Sequence, residues 1–228
     1  MKKIFFVFLC FLGYAIQAQT IIPKVGATYS TVAFEGDDDV EAKIGLSFGV
    51  GFNFLLTERI SLQPELNFVQ KGYSESSSFT QDFVYGGGSY TSTYNEDNLM
   101  NYLQLPVLVK VSFGKFYLNV GPSLGYGLKG KGSSNYKEVG IDAFGSTYEY
   151  NEEYKYDILF EKRPENYEGS DSYVDNRMNF SVQVGGGITL MDKLNIDVRY
   201  GQGFSTLFDD FKTKHRVFQV TLGVPIKL

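Results

Sequence analysis

Apolar and polar residues alternate one by one along several segments of the chain. Between Ile44 and Phe54, large apolar residues hold every even position, and Gly, Ser or Asn hold every odd one. Because successive side chains of a strand point to opposite faces, this period predicts a strand with one apolar face. The same alternation recurs over 24–34, 60–68, 103–113, 116–126, 178–190, 194–200 and 218–227.

The connections between these eight predicted strands alternate in length. Segments 57–59, 114–115 and 191–193 are short enough for hairpin turns. The other connections are longer, and they cover 35–43, 74–97, 131–175 and 206–214. Within the longest of them, 147–157 is expected to extend the neighbouring strands as a hairpin. Short turns at one end and long loops at the other are typical of bacterial outer-membrane barrels.

The polar faces indicate which side of the sheet is inside. Gly, Ser, Asn, Thr and Gln dominate them, whereas a soluble lipocalin-like barrel would carry more charge on its water-facing side. Small side chains suit the narrow interior of an eight-stranded barrel, and a closed barrel satisfies its backbone in lipid. We therefore predict an all-β, eight-stranded antiparallel up-and-down transmembrane β-barrel, with short periplasmic turns and long extracellular loops. A soluble barrel is the alternative.

The first residues have the pattern of a secretory signal. Lys2 and Lys3 precede an apolar run over 4–16, and Ala18 is suited to the last position before cleavage. We expect 1–18 to be a cleaved signal peptide and 19–228 to be the barrel domain. The single Cys of the chain lies in the signal.

Composition excludes several functions. The 228 residues include 21 Lys and Arg, 26 Asp and Glu, one His and one Cys. The acidic balance argues against nucleic acid as a partner, and the Cys and His counts exclude a Cys/His zinc site and an internal disulfide. No cofactor site is predicted.

The long loops are acidic and rich in tyrosine. Segments 35–43, 74–97 and 131–175 carry net charges of −4, −4 and −6. Asp37–Asp39 could hold calcium but lack the spacing of a calcium loop, so a solvated acidic loop is favoured. Tyrosine offers broad contact area at low entropic cost, which indicates binding of a protein or glycan. The candidate contact residues are Tyr136, Tyr148, Tyr150, Tyr154, Tyr156, Tyr167 and Tyr173.

Four charged residues fall on the polar faces near the turn end. They are Glu65, Lys110, Asp197 and Arg199. Buried charges are costly unless they are paired, so we predict a hydrogen-bonded ion cluster in the lumen. The amides expected around it are Gln63, Gln104, Gln183 and Gln219. Such a cluster either fills the barrel or lines a gated polar pathway, and the narrow lumen favours filling.

His215 is the one residue that suggests catalysis. Outer-membrane lipid hydrolases can use a His, a Ser and an acid on barrel strands. No Ser lies two residues from His215, whose neighbours are Arg216 and Val217. We expect an ordinary residue at the barrel rim.

Two strand sequences resemble a known family. Asn101-Tyr-Leu-Gln-Leu-Pro-Val-Leu-Val-Lys110 and Tyr117-Leu-Asn-Val-Gly-Pro-Ser-Leu-Gly-Tyr126 resemble outer-membrane β-barrel proteins that include PorT-like and porin-like small barrels. Asp197-Val-Arg-Tyr200 and Arg216-Val-Phe-Gln-Val-Thr-Leu-Gly223 are similar to the same family. The chain ends in Leu228, where such barrels commonly end in an aromatic residue that the assembly machinery reads.

The resemblance implies a location in the bacterial outer membrane and no catalytic residues. Some relatives take part in protein secretion. The expected function is therefore that of a non-catalytic interaction or structural protein. Its expected partners are outer-membrane lipid, the barrel assembly machinery and a protein or glycan at the loops. A small-solute or lipid transporter and a lipid-modifying enzyme are the alternatives.

Overall fold

The computed structural model describes residues 19–33, 40–82, 88–142, 144–165, 168–208 and 213–228. The predicted signal peptide 1–18, Asp37–Asp39 and Tyr167 lie outside these residues. The strands are β1 Thr20–Ala33, β2 Val40–Leu55, β3 Ile60–Asp82, β4 Ser89–Phe113, β5 Phe116–Ile141, β6 Thr147–Leu159, β7 Ser172–Tyr173, β8 Met178–Leu190, β9 Leu194–Gly203, β10 Lys214–Gly223 and β11 Ile226–Lys227.

Eight of these strands form a closed ring. Antiparallel pairs run from β1 through β2, β3, β4, β5, β8, β9 and β10, and β10 pairs with β1. The last strand, β11, follows β10 in the chain and pairs with β1 at Thr20 and Ile21. The prediction of an eight-stranded antiparallel barrel is confirmed.

Tight turns close one end of the barrel. Gly114 joins β4 to β5 with φ of +64°, which favours glycine. Met191 and Asp192 both have positive φ, and the Lys193 amide donates to the Leu190 carbonyl at 3.0 Å. Positive φ at both central residues and this hydrogen bond are features of a type I′ turn, here within the three residues between the paired Leu190 and Leu194. We call this the turn end and the opposite end the loop end.

The outside of the ring carries an apolar belt. Ile44 and Leu118 are 71% and 61% exposed, and neighbouring outward positions are also large and apolar. The further members of the belt include Val25, Leu46, Phe48, Val120, Val184, Val198, Phe218 and Val220. An exposed apolar surface this broad is compatible with lipid and not with water.

The strands extend further towards the loop end than the sequence predicts. The predicted loop 74–97 is mostly wrong, because β3 continues to Asp82, β4 starts at Ser89, and the two stay paired over that length. Segment 131–175 begins within the loop-end half of β5, which pairs with β6 from Gly130 to Ile141. Both faces of these extensions lie outside the apolar belt. Their sequences therefore lack the alternation of apolar and polar residues by which the other strand segments were predicted.

No helix in the part of the chain that the structure describes has the length and apolar character needed to cross a membrane.

Candidate functional site

The lumen contains an ion cluster centred on Glu65. Arg199 donates to both carboxylate oxygens of Glu65, from Nη1 at 2.8 Å and from Nη2 at 3.0 Å. Lys24 forms a second ion pair with the same carboxylate. The amides of Gln63 and Asn67 donate to it at 2.6 and 3.0 Å. One buried carboxylate therefore holds two cations and two amides.

Asp197 extends this cluster to the far side of the lumen. It pairs with Arg199 and accepts a hydrogen bond from the Asn119 amide at 2.9 Å. The Lys110 ammonium lies 3.6 Å from the centre of the Tyr117 ring, so a cation–π contact is its described interaction. Space for Arg199 depends on Gly185, because an added Cβ there would lie 2.6 Å from Arg199 Cγ. We call Lys24, Glu65, Lys110, Asp197 and Arg199 the lumen cluster.

Glutamine and asparagine side chains fill the next layer towards the loop end. Gln104, Gln183 and Gln219 line a small cavity together with Asn179 and Ser181. The Gln219 amide donates to Ser47 Oγ at 2.7 Å. The space left free is about 10 Å³, which is at the lower limit for one water molecule.

A second buried group lies above this layer and was missed by sequence reasoning. Lys71 donates to Asn179 Oδ1 at 2.8 Å, and its ammonium lies 4.7 Å from the centre of the Tyr102 ring. The Tyr102 hydroxyl is 3.1 Å from His215 Nε2. Lys71 lies four residues beyond Asn67 in β3 and shares the inward parity of Glu65 and Asn67, which was the available signal.

The prediction that His215 is an ordinary rim residue is wrong. Only 1% of the residue is exposed, and the Tyr102 ring packs edge-on against its imidazole. Its side chain is hydrogen-bonded to Tyr102. Among the described residues, no Ser and no carboxylate is hydrogen-bonded to it. The group lacks the arrangement of a nucleophilic hydrolase.

Apolar side chains cap the lumen at the loop end. Phe160, Val174 and Leu207 come from connecting segments and pack against Met100 and Tyr102 of the barrel wall. All five are buried. Ions, amides and this cap therefore occupy successive layers of the lumen.

Beyond the cap, four strands form a sheet that projects from the barrel. It consists of the loop-end parts of β3, β4 and β5, and of β6, which pairs with β5. We call it the loop-end sheet. Directly paired residues share a face, so the register defines two different surfaces.

One surface of the loop-end sheet combines tyrosine with glutamate. It continues the lumen side of β4, and we call it the Tyr–Glu face. Its residues include Tyr94, Glu96, Tyr136, Glu138, Tyr148, Tyr150, Glu152, Tyr154 and Tyr156. Five of the predicted contact residues thus lie on one surface, and they are Tyr136, Tyr148, Tyr150, Tyr154 and Tyr156. Tyr173 lies in β7 beside it.

Each of these glutamates accepts hydrogen bonds from tyrosine hydroxyls. Tyr136 and Tyr148 donate to Glu138 at 2.5 and 3.1 Å. Tyr94 and Tyr156 donate to Glu96 at 3.2 and 2.7 Å. The rings are therefore held in fixed positions around carboxylates.

The pKa values agree with this arrangement. The hydrogen bond to Glu138 raises the pKa of Tyr136 above its ordinary value. The hydrogen bonds from Tyr150 and Tyr154 lower the pKa of Glu152. At neutral pH the hydroxyls stay protonated and Glu152 stays ionised, because a hydrogen bond to the charged form favours that form.

The Tyr–Glu face opens into a cleft of about 560 Å³. Tyr94, Tyr154, Tyr156 and Tyr173 line it, with Arg163 on its wall. Its other lining residues are mostly polar and include Glu96, Asp171 and Asp175, and its volume is within the range of ligand sites. Among the described residues, no group of three His, Cys, Asp or Glu could hold a metal ion.

The opposite surface of the loop-end sheet carries ion pairs instead of tyrosine. Lys137 pairs with Glu149 at 2.8 Å, and Lys155 pairs with Glu153 at 3.1 Å. Near the barrel, Lys43 pairs with Asp97, and Lys129 pairs with Asp157, both at 2.7 Å. Each of these acids has a lysine partner.

A closed ring with an apolar outer belt and a polar, filled lumen defines an integral membrane β-barrel. The chain matches the family model of the outer membrane protein beta-barrel domain over residues 17–209, and it belongs to that family. The protein is located in the bacterial outer membrane, so the turn end faces the periplasm and the loop end faces outwards. The narrower resemblance to PorT-like proteins stays a prediction.

Several solved structures are similar to this chain at low identity. Ail of Yersinia pestis is 12% identical, with 92% of this chain and 99% of Ail covered and a TM-score of 0.43. Neisserial surface protein A is 12% identical, with 91% and 97% covered and a TM-score of 0.37. CarO of Acinetobacter baumannii is 10% identical, with 89% and 97% covered and a TM-score of 0.36. No protein of curated function matches the sequence.

Proposed function

We propose that this protein is a non-catalytic binding protein of the outer membrane that holds a partner outside the cell on its loop-end sheet. The observation that carries the proposal is the Tyr–Glu face, where rings fixed by hydrogen bonds to carboxylates surround an open cleft. Fixed rings lose little conformational entropy when they bind a partner. The barrel then acts as a rigid base for that surface.

The filled lumen supports binding rather than transport. Lumen cluster, amide layer and apolar cap occupy successive levels of the barrel, and the remaining cavity is about 10 Å³. The surroundings of His215 support a non-catalytic protein, because the residue that contacts its Nε2 is Tyr102.

A shortened hairpin tests the proposal. Ser133 and Lys155 face each other in the β5–β6 pairing, so residues 134–154 can be replaced by Asn-Gly, which favours a two-residue turn. The variant loses Tyr136, Tyr148, Tyr150 and Tyr154 and keeps the cap. In crosslinked pull-down from intact outer membranes, we expect it to lose the partners that the full chain captures.

A matched control removes only the tip of the hairpin. Val139 and Glu149 also face each other, so replacing residues 140–148 by Asn-Gly keeps Tyr136 and Tyr150. This control should retain partner capture. Both variants must show a folded barrel, measured as heat-modifiable migration on gels. Equal capture by the full chain and the variant that lacks 134–154 would contradict the proposed function.

A further inference from the structure

The two surfaces of the loop-end sheet differ in how their carboxylates are compensated. On the opposite surface, Glu149 and Glu153 have lysine partners. On the Tyr–Glu face, Glu96, Glu138 and Glu152 accept from tyrosine hydroxyls, and none of the ion pairs among the described residues involves them. Neutral hydroxyls leave the negative charge in place, so this face carries a field that attracts cations.

The rings of the same face offer a second attraction for cations. Tyr94, Tyr150 and Tyr154 are 39%, 50% and 49% exposed, although their hydroxyls are engaged. An ammonium or guanidinium over such a ring gains a cation–π interaction in addition to the carboxylate charge. A sulfated or phosphorylated ligand would instead meet repulsion from three glutamates.

The free edge of β6 indicates the conformation of the ligand, which would be an extended strand. One edge of β6 pairs with β5 from Thr147 to Ile158. Among the described residues, strand pairing on its other edge is limited to Ile158 and Leu159 with β7. The edge from Thr147 to Tyr156 can therefore accept an added strand, whose alternate side chains would lie on the Tyr–Glu face. The acidic residues of β6 oppose pairing with another copy of the same strand.

We propose that the Tyr–Glu face and the β6 edge bind an extended, cationic peptide segment of a partner protein. This rests on the proposed function and specifies the chemistry of the partner. The segment would add as a strand beside Thr147–Tyr156. Every second side chain would be Lys or Arg and would lie over a tyrosine ring, close to Glu138 or Glu152.

The test uses the full-length protein in lipid nanodiscs and a fluorescent alternating Lys-Thr peptide of about ten residues, which matches the free edge in length. The matched probes are alternating Gln-Thr and Glu-Thr peptides. We expect saturable binding of the Lys-Thr peptide that weakens with salt, because exposed charges are screened. The Glu-Thr peptide should not bind.

Two charge variants with equal change in net charge locate the site. E96Q/E138Q/E152Q alters the Tyr–Glu face, and E149Q/E153Q/D157N alters the opposite surface. We expect the first variant to weaken binding of the Lys-Thr peptide about tenfold, and the second to change it less than about threefold. Equal weakening by both would show attraction to net charge alone and would overturn the proposal.

Two further outcomes separate the claims. Methylation of alternate peptide nitrogens should abolish binding if the peptide adds as a strand, and unchanged affinity would overturn that geometry. If the Gln-Thr peptide binds as tightly as the Lys-Thr peptide, the claim that the partner segment is cationic is overturned. If E96Q/E138Q/E152Q still captures the cellular partners that are lost when 134–154 is replaced, the proposed function stands and this inference fails.

Discussion

Glu65 gathers two cations and two amides around one carboxylate in the lumen. Arg199, Lys24, Gln63 and Asn67 all contact it. A buried ion pair gains little over apolar packing, but removal of one partner leaves uncompensated charge. Glu65 therefore fixes the relative positions of β1, β3 and β9.

We predict that E65Q strongly destabilises the barrel. It leaves the guanidinium of Arg199 and the ammonium of Lys24 without that carboxylate, at a cost of about 3–5 kcal/mol. Urea unfolding of the protein in lipid vesicles measures the change. The control is E149Q, which breaks the exposed pair with Lys137 and should cost about 0–1 kcal/mol. A loss for E65Q no larger than for E149Q would contradict the structural role of Glu65.

A single strand of this protein can pass through two environments, with lipid around one half and water around the other. The turn-end half of β5 pairs with β8 within the belt, and its loop-end half pairs with β6 outside the belt. Val120 lies in the first half and Val139 in the second, and both side chains are exposed. Their surroundings, lipid and water, differ although the residue type and the strand are the same.

We predict that V120R costs about 2–4 kcal/mol of unfolding free energy in lipid, because a cation on the lipid face is penalised according to depth. V139R serves as the matched control and should be nearly neutral, since that position lies beyond the belt. The measurement is again urea unfolding in vesicles. Similar costs for both substitutions would contradict the assignment of the belt.

Three layers close the lumen along the barrel axis. The lumen cluster lies near the periplasm, amides lie above it, and the cap of Phe160, Val174 and Leu207 lies outermost. A charged or solvated solute would have to displace paired ions as well as apolar side chains. The molecule is organised as a solid base for the loop-end sheet.

We predict that the protein forms no steady pore in planar bilayers. The double substitution F160A/L207A opens the cap but leaves the lumen cluster and the amides in place, so it should also be silent. A large porin in the same bilayers is the positive control. Discrete conductance steps from the unmodified protein would contradict the closed lumen and would favour transport.

Sequence reasoning reached the barrel because lipid imposes a period of two. Each strand inside the belt must place apolar side chains outwards. Segments with this alternation, such as 44–54, therefore show where the strands lie, which face of each points outwards and how many strands there are. The same logic placed Glu65, Lys110, Asp197 and Arg199 on inward positions. It failed for 74–97, because water on both faces of the loop-end sheet removes the pattern.

The sequence by itself determined the strand count, the short turns at one end and the polarity of each strand face within the belt. Only the tertiary structure decided which inward residues meet. Lys24, Glu65 and Arg199 come from three strands, and their contact depends on the stagger of the closed ring. His215 is buried beside Tyr102, which comes from the distant strand β4, and the Tyr–Glu face exists because β6 pairs with β5 in one register. Alternation constrains a strand and its environment, whereas contacts between distant segments depend on closure and register.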